Sequence, residues 1–421
     1  MTQQAQHQAA KYTAKYAAIQ GSYWPIFCSS YSFASVFLLS RNFDNSEIGI
    51  VLALANIFAV FLQPTVAVYA DTTKKISLKN LTALLALAAA MLTGVRCLIP
   101  NVLSVLAVLL VLELTILFSL QPLISALGMH MINRGVKINF GFARGLGSLS
   151  FAVCSYIVGV LIERFGPEAS PVVSVCCFVI LIFFVYTFTN EKRGKGSETE
   201  GTNFTENEIT QDETVQEEIT RNETEKQASG MMEFVKKYKQ FILLLLAIAF
   251  TFTSHSMINN YFIQITNDVG GNTKDMGFGI GLAAAIELPA MMLFTHLVRK
   301  VRCSTILKSS FLFFLVKAVL TMTAPNMFVL DFAQVFQFAA YAMFIPASIY
   351  YVNQIIKEED LVKGQAFVTG AITLGGVSAS LLGGWLLDAY GVSSMLNVGS
   401  IATIIGLVIA LLAIQKTATA D

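Results

Sequence analysis

Apolar residues along this chain are grouped into twelve runs, each of about 20 or more mostly apolar positions. A run of that length crosses the hydrocarbon core of a bilayer as an α-helix. The pattern therefore predicts an all-α membrane protein with 12 transmembrane helices. The predicted spans are residues 17–39, 47–70, 78–99, 103–127, 141–162, 169–189, 240–265, 276–297, 304–323, 328–355, 364–387 and 393–414.

A long polar segment divides these runs into six and six. Between Glu191 and Lys226 it holds eleven Asp or Glu and five Lys or Arg, so it cannot bury enough apolar surface to fold alone. We expect a disordered cytoplasmic linker over 191–236, between an N-terminal six-helix bundle over 1–190 and a C-terminal one over 237–421. A plain tether is favoured over a regulatory segment.

The two halves repeat at a nearly constant offset. The glycines Gly141 and Gly147 at the start of the fifth span recur 223 positions later, at the start of the eleventh. Glu163 and Pro64 have counterparts 225 positions later, Asp388 and Pro289. A duplicated six-span unit predicts two pseudo-symmetric bundles that hold a substrate between them near the middle of the membrane. Such proteins work by alternating access.

Basic residues collect in the loops that follow even-numbered spans. Examples are Lys74 and Lys75 after the second span, and Arg299 and Lys300 after the eighth. Loops rich in Lys and Arg stay on the cytoplasmic side of a membrane. We therefore expect a multi-pass protein of the cell membrane with both termini in the cytoplasm.

Composition supports the membrane assignment and argues against other classes. The chain is 55% hydrophobic and 13% charged, whereas soluble domains carry roughly 25% charged residues. A net charge of +1 gives no reason to expect a nucleic-acid partner. Since no phosphate-binding loop, metal-ligand cluster or nucleophile–base motif occurs, we expect no cofactor and no enzyme activity. One chain contains both bundles, so a monomer is expected to function.

Glu287 is the most informative charged residue, because it lies near the middle of the eighth predicted span. Ionisable side chains at that depth are costly, so they face other helices or a wet cavity and mark functional sites. Burial favours the protonated form of a carboxyl group, which predicts that Glu287 carries a coupled proton and accepts hydrogen bonds from substrate hydroxyls. A structural role in helix packing is the alternative.

Other charged residues lie inside predicted spans. Arg144 suits bidentate contact with substrate oxygens, although its position one turn into the fifth span also permits snorkelling to the membrane interface. Lys317 is expected to be the counter-ion of Glu287 or of Asp331, and to contribute to substrate binding.

Two further groups of polar positions deserve a place among the candidates. Arg96 and Glu113 stand on helices joined by a short loop and predict a structural ion pair. His255, Asn259 and Asn260 share one helical face. Substrate contact and polar links between helices explain that face equally well, and the same holds for Gln337. Tyr341 is an aromatic candidate for stacking against a sugar or a ring.

Several of these motifs resemble the major facilitator superfamily, and most closely its lactose permease branch of oligosaccharide:proton symporters. Residues 46–50, Gln63 with Pro64, and Asp71 are similar to the second span and its following loop. The resemblance implies that Asp71, Lys74 and Lys75 form the gating loop. Residues 140–147 resemble the segment with the branch's sugar-binding arginine.

This resemblance implies a sugar-binding role for Arg144, equates Glu287 with the branch's eighth-span glutamate, and places Lys317 where the branch has an arginine. Departures occur as well. Where the branch has a fourth-span glutamate that pairs with its arginine, this chain has Ser125 and Ala126. The branch's tenth-span lysine, histidine and glutamate are replaced, in order, by Phe338, Tyr341 and Phe344.

We therefore expect a secondary transporter that takes up a sugar or oligosaccharide with protons. Proton-coupled uptake of an aromatic acid or nucleoside and drug-efflux antiport are the alternatives. A sensor or scaffold that transports nothing is a third class. The expected partners are a small-molecule substrate, protons and the lipid bilayer.

Overall fold

The computed structural model describes residues 3–72, 76–133, 136, 138–188 and 230–416, and every regular element in those ranges is helical. Short π and 3-10 segments occur at Cys28–Ser32, Phe336–Phe338 and Glu358–Asp360. The α-helices are Gln3–Phe27, Ala34–Ser40, Asn45–Thr72, Leu78–Leu98, Leu103–Asn133, Phe140–Phe165, Ala169–Phe188, Met231–Lys237, Lys239–Asn260, Phe262–Asp268, Thr273–Leu297, Cys303–Met322, Met327–Val335, Tyr341–Ile355 and Leu361–Ala413.

Ten helical stretches among the described residues are long and apolar enough to cross a membrane. The last of them contains Leu361–Ala413, which at ~1.5 Å per residue is about 80 Å long. Its backbone is non-helical at Gly391 (φ 80°, ψ 179°), a conformation that favours glycine, so it forms two crossings. The interrupted segment 3–40 supplies the first crossing, and the predicted all-α fold with twelve spans is confirmed. We number these spans 1–12.

Three spans are interrupted within their length. Span 1 contains the π-helical turn Cys28–Ser32, span 7 breaks at Tyr261, and span 10 contains the 3-10 segment Phe336–Phe338. Such interruptions release backbone groups from the regular helical pattern and are frequent at functional sites. In this protein they lie next to Asn260 and Gln337, two of the predicted site residues.

The two ends of the bundle carry different loops. We call proximal the end at which the described chain begins and ends, near Gln3 and Lys416. We call distal the opposite end, which carries residues 41–44, 99–102, 166–168, 269–272, 323–326 and Gly391. In the predicted orientation the distal end is extracellular.

Two large apolar cores fill the bundle. One lies within the C-terminal half and includes Phe252, Phe311 and Phe344. The other fills the N-terminal half but also includes Tyr261 and Leu387 of the C-terminal half. Both residues lie toward the distal ends of their spans, so the halves pack against each other at the distal end.

The last residues of the predicted linker are helical, and the expectation of disorder is wrong for 231–236. Helix Met231–Lys237 is held to the proximal end because Phe234 is fully buried, with its ring centre 5.2 Å from that of Phe367. Lys237 Nζ lies 2.9 Å from Asp360 Oδ2, and this hydrogen bond raises the pKa of Lys237. Residues 191–229 lie outside the described part of the chain.

Candidate functional site

Arg144 lies one turn into span 5 and faces span 1. The helix of span 5 starts at Phe140, because the Asn139 side chain caps it by accepting a hydrogen bond from the Phe142 amide at 3.0 Å. The guanidinium carbon of Arg144 lies 4.1 Å from the centre of the Trp24 ring, and Nη1 donates to Ser148 Oγ at 3.0 Å. One ring and one hydroxyl thus orient a group that has five N–H donors, which leaves donors for a ligand.

Spans 8, 9 and 10 are joined by a hydrogen-bonded chain of three side chains. Lys317 Nζ donates to Gln337 Oε1 at 2.7 Å, and Gln337 Nε2 donates to Glu287 Oε1 at 3.0 Å. Lys317 is 1% exposed and Gln337 is 6% exposed, whereas Glu287 is half-buried. We expected Lys317 to pair with an acid; in the structure the amide of Gln337 lies between the ammonium and the carboxylate of Glu287.

The N-terminal half contains a buried pair at the corresponding place. Arg96 Nη2 lies 3.0 Å from Glu113 Oε2, and both side chains are almost fully buried. Lys317 follows Arg96 by 221 positions and Gln337 follows Glu113 by 224, close to the offset of the repeat. The C-terminal copy of this ion pair therefore has an amide in place of the acid.

This replacement changes the chemistry of the C-terminal half. Arg96 has a carboxylate in direct contact, and Ser30 Oγ also donates to Glu113 Oε1 at 2.6 Å. Breaking a buried pair of this kind leaves an uncompensated charge. The charge of Lys317 is instead balanced through Gln337 by Glu287, a residue that is partly exposed. A charge balance of that kind can respond to a proton or a ligand.

Charged residues of the two halves lie in the same region, beside spans 5 and 8. The side chain of Arg144 lies within electrostatic range of Glu287 and of Tyr341. Space at this interface is limited, because a Cβ added to Gly145 would lie 2.6 Å from Leu288 Cδ1. Spans 5 and 8 are therefore in direct contact beside these side chains. A cation of one half and an acid of the other thus lie in one neighbourhood.

A stacked pair of rings, Tyr341 and His255, lies near these charged residues. The Tyr341 ring stacks on His255 with 5.2 Å between ring centres and a 17° interplanar angle. The amide of Asn259, which is exposed, lies 3.0 Å from His255 Nε2. Tyr341 is half-buried and lies within electrostatic range of Glu287, so both Asn259 and Tyr341 have accessible surface.

Asn260 occupies a different position from the other predicted site residues. Its Oδ1 accepts from the Tyr31 hydroxyl at 2.9 Å, its Nδ2 donates to Ser380 Oγ at 3.0 Å, and its carbonyl accepts from Ser35 Oγ at 2.5 Å. Tyr31 and Ser35 belong to the N-terminal half. The Asn260 amide therefore joins the halves in this conformation.

The predicted gating loop is only partly described. The backbone of Asp71 is helical, whereas its side chain and the residues Lys74 and Lys75 lie outside the described part of the chain. Ser148 was not among the predicted site residues, although its i+4 spacing from Arg144 was a readable signal. No sequence signal indicated that Trp24 lies against Arg144.

Residues 21–398 match the sequence profile of the MFS_1 like family. The chain belongs to that family. It is thus a transporter of the major facilitator superfamily, as the motifs suggested, and the expectation that it is not an enzyme is confirmed. The comparisons do not single out the lactose permease branch, so that finer assignment stays a prediction.

Three proteins similar to this chain are distant from it in sequence. The uncharacterized transporter YwbF of Bacillus subtilis (strain 168) is 22% identical over 351 residues, which cover 81% of this chain and 78% of YwbF. A variant of the nucleoside transporter NupG superposes with a TM-score of 0.74 at 12% identity, over 96% of this chain and 98% of that one. The POT family transporter PepTSo superposes at 0.71 and 10%, over 96% and 97%. At these identities the solved structures show the fold alone.

Proposed function

We propose that this transporter is a proton-coupled symporter that imports a small polar solute, with a sugar or oligosaccharide as the lead substrate. The observation that carries the proposal is that Arg144 and Glu287 lie within electrostatic range of each other. One belongs to each half, and Glu287 is hydrogen-bonded through Gln337 to the buried cation Lys317. Alternating access requires a ligand to contact both halves, and these residues can provide those contacts.

Each side chain has a distinct role in this proposal. The guanidinium of Arg144 donates hydrogen bonds to substrate oxygens, while Trp24 and Ser148 keep it oriented. Glu287 takes up a proton and accepts hydrogen bonds from substrate hydroxyls. Lys317 stabilises the ionised form of Glu287 through Gln337, so that the proton can leave on the far side. Asn259 and Tyr341 contribute contacts at the edge of the site.

The test is transport by purified protein in liposomes with an imposed proton gradient. We expect Glu287→Gln to abolish uphill accumulation while it leaves counterflow intact. The amide still accepts hydrogen bonds from the substrate, but it cannot take up and release a proton. Glu163→Gln is the matched control, since Glu163 is an exposed acid at the distal end of span 5. Full accumulation by Glu287→Gln would show that another group carries the proton.

Uptake of a nucleoside or an aromatic acid is the second candidate. The ring of Trp24 lies against Arg144, Tyr341 lies within electrostatic range of it, and a ring substrate could stack on these aromatic side chains. One structure of the same fold belongs to a nucleoside transporter. A thermal-shift screen against sugars, nucleosides and aromatic acids separates these classes, because a ligand that binds only the folded protein raises its melting temperature.

Drug-efflux antiport is less well supported by the site. An apolar drug pocket with one acid would not require two buried or half-buried cations. Arg144 and Lys317 both lie within electrostatic range of Glu287.

We further propose that the protein acts as a monomer in the cell membrane with both termini in the cytoplasm. Labelling of a cysteine introduced at Thr323 from outside intact cells tests that orientation.

A further inference from the structure

The carboxylate of Asp388 connects the two halves at the distal end. Asp388 lies in span 11, and its Oδ1 accepts from the backbone amide and the side-chain amide of Asn45 at 3.1 and 2.8 Å. Its Oδ2 accepts from the backbone amide and the hydroxyl of Ser46 at 2.7 and 2.5 Å. Four hydrogen bonds thus join one side chain of the C-terminal half to the first residues of span 2.

These bonds satisfy a need that every helix has. The first backbone N–H groups of an α-helix lack acceptors within the helix, and a carboxylate at that end also interacts favourably with the helix dipole. Span 2 begins at Asn45, so the amides of Asn45 and Ser46 are such groups. The acceptor for both comes from the other half of the protein.

The repeat offers a comparison, because span 8 is the counterpart of span 2. Span 8 caps itself: Asn272 Oδ1 accepts from the Asp275 amide at 3.1 Å, and Asp275 Oδ2 accepts from the Asn272 amide at 3.0 Å. Glu163, the counterpart of Asp388, is exposed. Capping across the halves is therefore not imposed by the fold, since the other copy of the same unit caps its helix locally.

Neighbouring contacts bring span 7 together with spans 2 and 11. Gln264 Nε2 of span 7 donates to Asn45 Oδ1 at 2.7 Å, and the Tyr261 hydroxyl donates to the Ser380 carbonyl at 2.5 Å. A Cβ added to Gly49 would collide with that carbonyl, and one added to Gly384 would collide with the carbonyl of Asn45. Spans 2 and 11 therefore touch backbone to backbone near Asp388.

We propose that Asp388 is the lock that holds the distal end closed. Its carboxylate caps span 2 only while the halves are together at that end. When the distal end opens, the amides of Asn45 and Ser46 must exchange this acceptor for water. The lock therefore sets the ratio of distal-open to distal-closed protein, whatever substrate the transporter carries.

The experiment measures that ratio without any substrate. Spin labels are attached at cysteines introduced at Val102 and Thr323, on distal loops of the two halves, with the exposed Cys176 changed to Ser. Pulsed electron paramagnetic resonance then reports the distance distribution in lipid nanodiscs. Asp388→Ala is expected to raise the open-to-closed ratio on the order of tenfold, since it removes the cap and its charge.

Three further variants make the result decisive. Asp388→Asn keeps the shape but loses the charge and is expected to shift the distribution less than Asp388→Ala. Ser46→Ala removes one of the four bonds and is expected to give a smaller shift in the same direction. Glu163→Gln, the control, is expected to match the unmutated protein.

The proposal is overturned if the Asp388 variants give the same distance distribution as Glu163→Gln. A lowered melting temperature with an unchanged distribution overturns it too, because the bonds would then be merely structural. If Asp388→Ala does not fold, Asp388→Asn and Ser46→Ala carry the test. A failure here leaves the proposed proton coupling untouched, since that coupling is measured by flux.

Discussion

Replacement of Gln337 by glutamate is the sharpest perturbation that the repeat suggests. Gln337→Glu would give the C-terminal half the same cation–acid pair that Arg96 and Glu113 form in the N-terminal half. The new carboxylate would lie about where Gln337 Oε1 lies now, 2.7 Å from Lys317 Nζ. Its second oxygen would face Glu287 Oε1, from which Gln337 Nε2 now lies 3.0 Å away.

Two effects with opposite signs follow from this geometry. Lys317 would gain a direct ion pair, which favours the fold. Glu287 would lose a hydrogen-bond donor and gain a like charge, and two unit charges about 4 Å apart repel by about 4 kcal/mol at an effective dielectric constant near 20. Two carboxyl groups at such a short distance cannot both ionise readily, so they share one proton. We therefore expect Glu287 to retain its proton throughout the cycle.

The assay is a comparison of two transport modes in the same liposomes. Gln337→Glu is expected to lose uphill accumulation driven by a proton gradient and to keep exchange of substrate across the membrane. Its melting temperature in detergent is expected to equal or exceed that of the unmutated protein.

Gln337→Leu is the matched control for loss of the amide. It leaves Lys317 buried without its hydrogen-bond acceptor, so we expect stability to fall by about 3–5 kcal/mol, as when a buried pair is broken. The reasoning is refuted if Gln337→Glu accumulates substrate as well as the unmutated protein, or if it is as unstable as Gln337→Leu.

Three further predictions concern stability and the proximal end. Glu113→Gln is expected to lower the free energy of unfolding by about 3–5 kcal/mol, because it leaves a buried guanidinium without its partner; thermal unfolding in detergent measures this. Phe234→Ala is expected to release helix Met231–Lys237, since its only fully buried ring is lost, and faster hydrogen exchange of 231–237 would show it. The hydrogen bond to Asp360 raises the pKa of Lys237, so its stabilising contribution is complete below the ordinary lysine pKa and is lost only as pH rises through the raised value. Exchange of this helix at pH 7 and pH 9, corrected for the intrinsic rate, should therefore give the same protection.

The spans were predictable because their cause is local. A run of about 20 apolar residues must form a helix in lipid, and the bounds Leu78–Leu98 and Cys303–Met322 fall within one residue of the predicted 78–99 and 304–323. The repeat also located Asp388, although only as the counterpart of Glu163. Helix Met231–Lys237 escaped prediction because its seven residues are too few to span a membrane, and contacts of Phe234 and Lys237 with distant parts of the chain hold it in place.

The contacts within the site were less predictable, because they depend on how helices turn relative to one another. Sequence depth alone identified Glu287, Arg144 and Lys317 as costly residues that need partners. It did not show that Gln337 lies between two of them, nor that Trp24 covers the third. Those contacts depend on how spans 1 and 10 are rotated about their own axes. Helix packing determines that rotation, and composition does not.

The central claim is that Arg144 and Glu287, one from each half, bind the same substrate molecule. A double-mutant cycle on ligand affinity tests it, with the best compound from the thermal-shift screen measured against Arg144→Lys, Glu287→Ala and both together, because alanine removes the hydrogen-bond acceptor that glutamine would keep. The account predicts that the two losses are coupled, so that the double variant loses clearly less affinity than the sum of the single losses. Additive losses, or unchanged affinity in either single variant, would contradict a shared site.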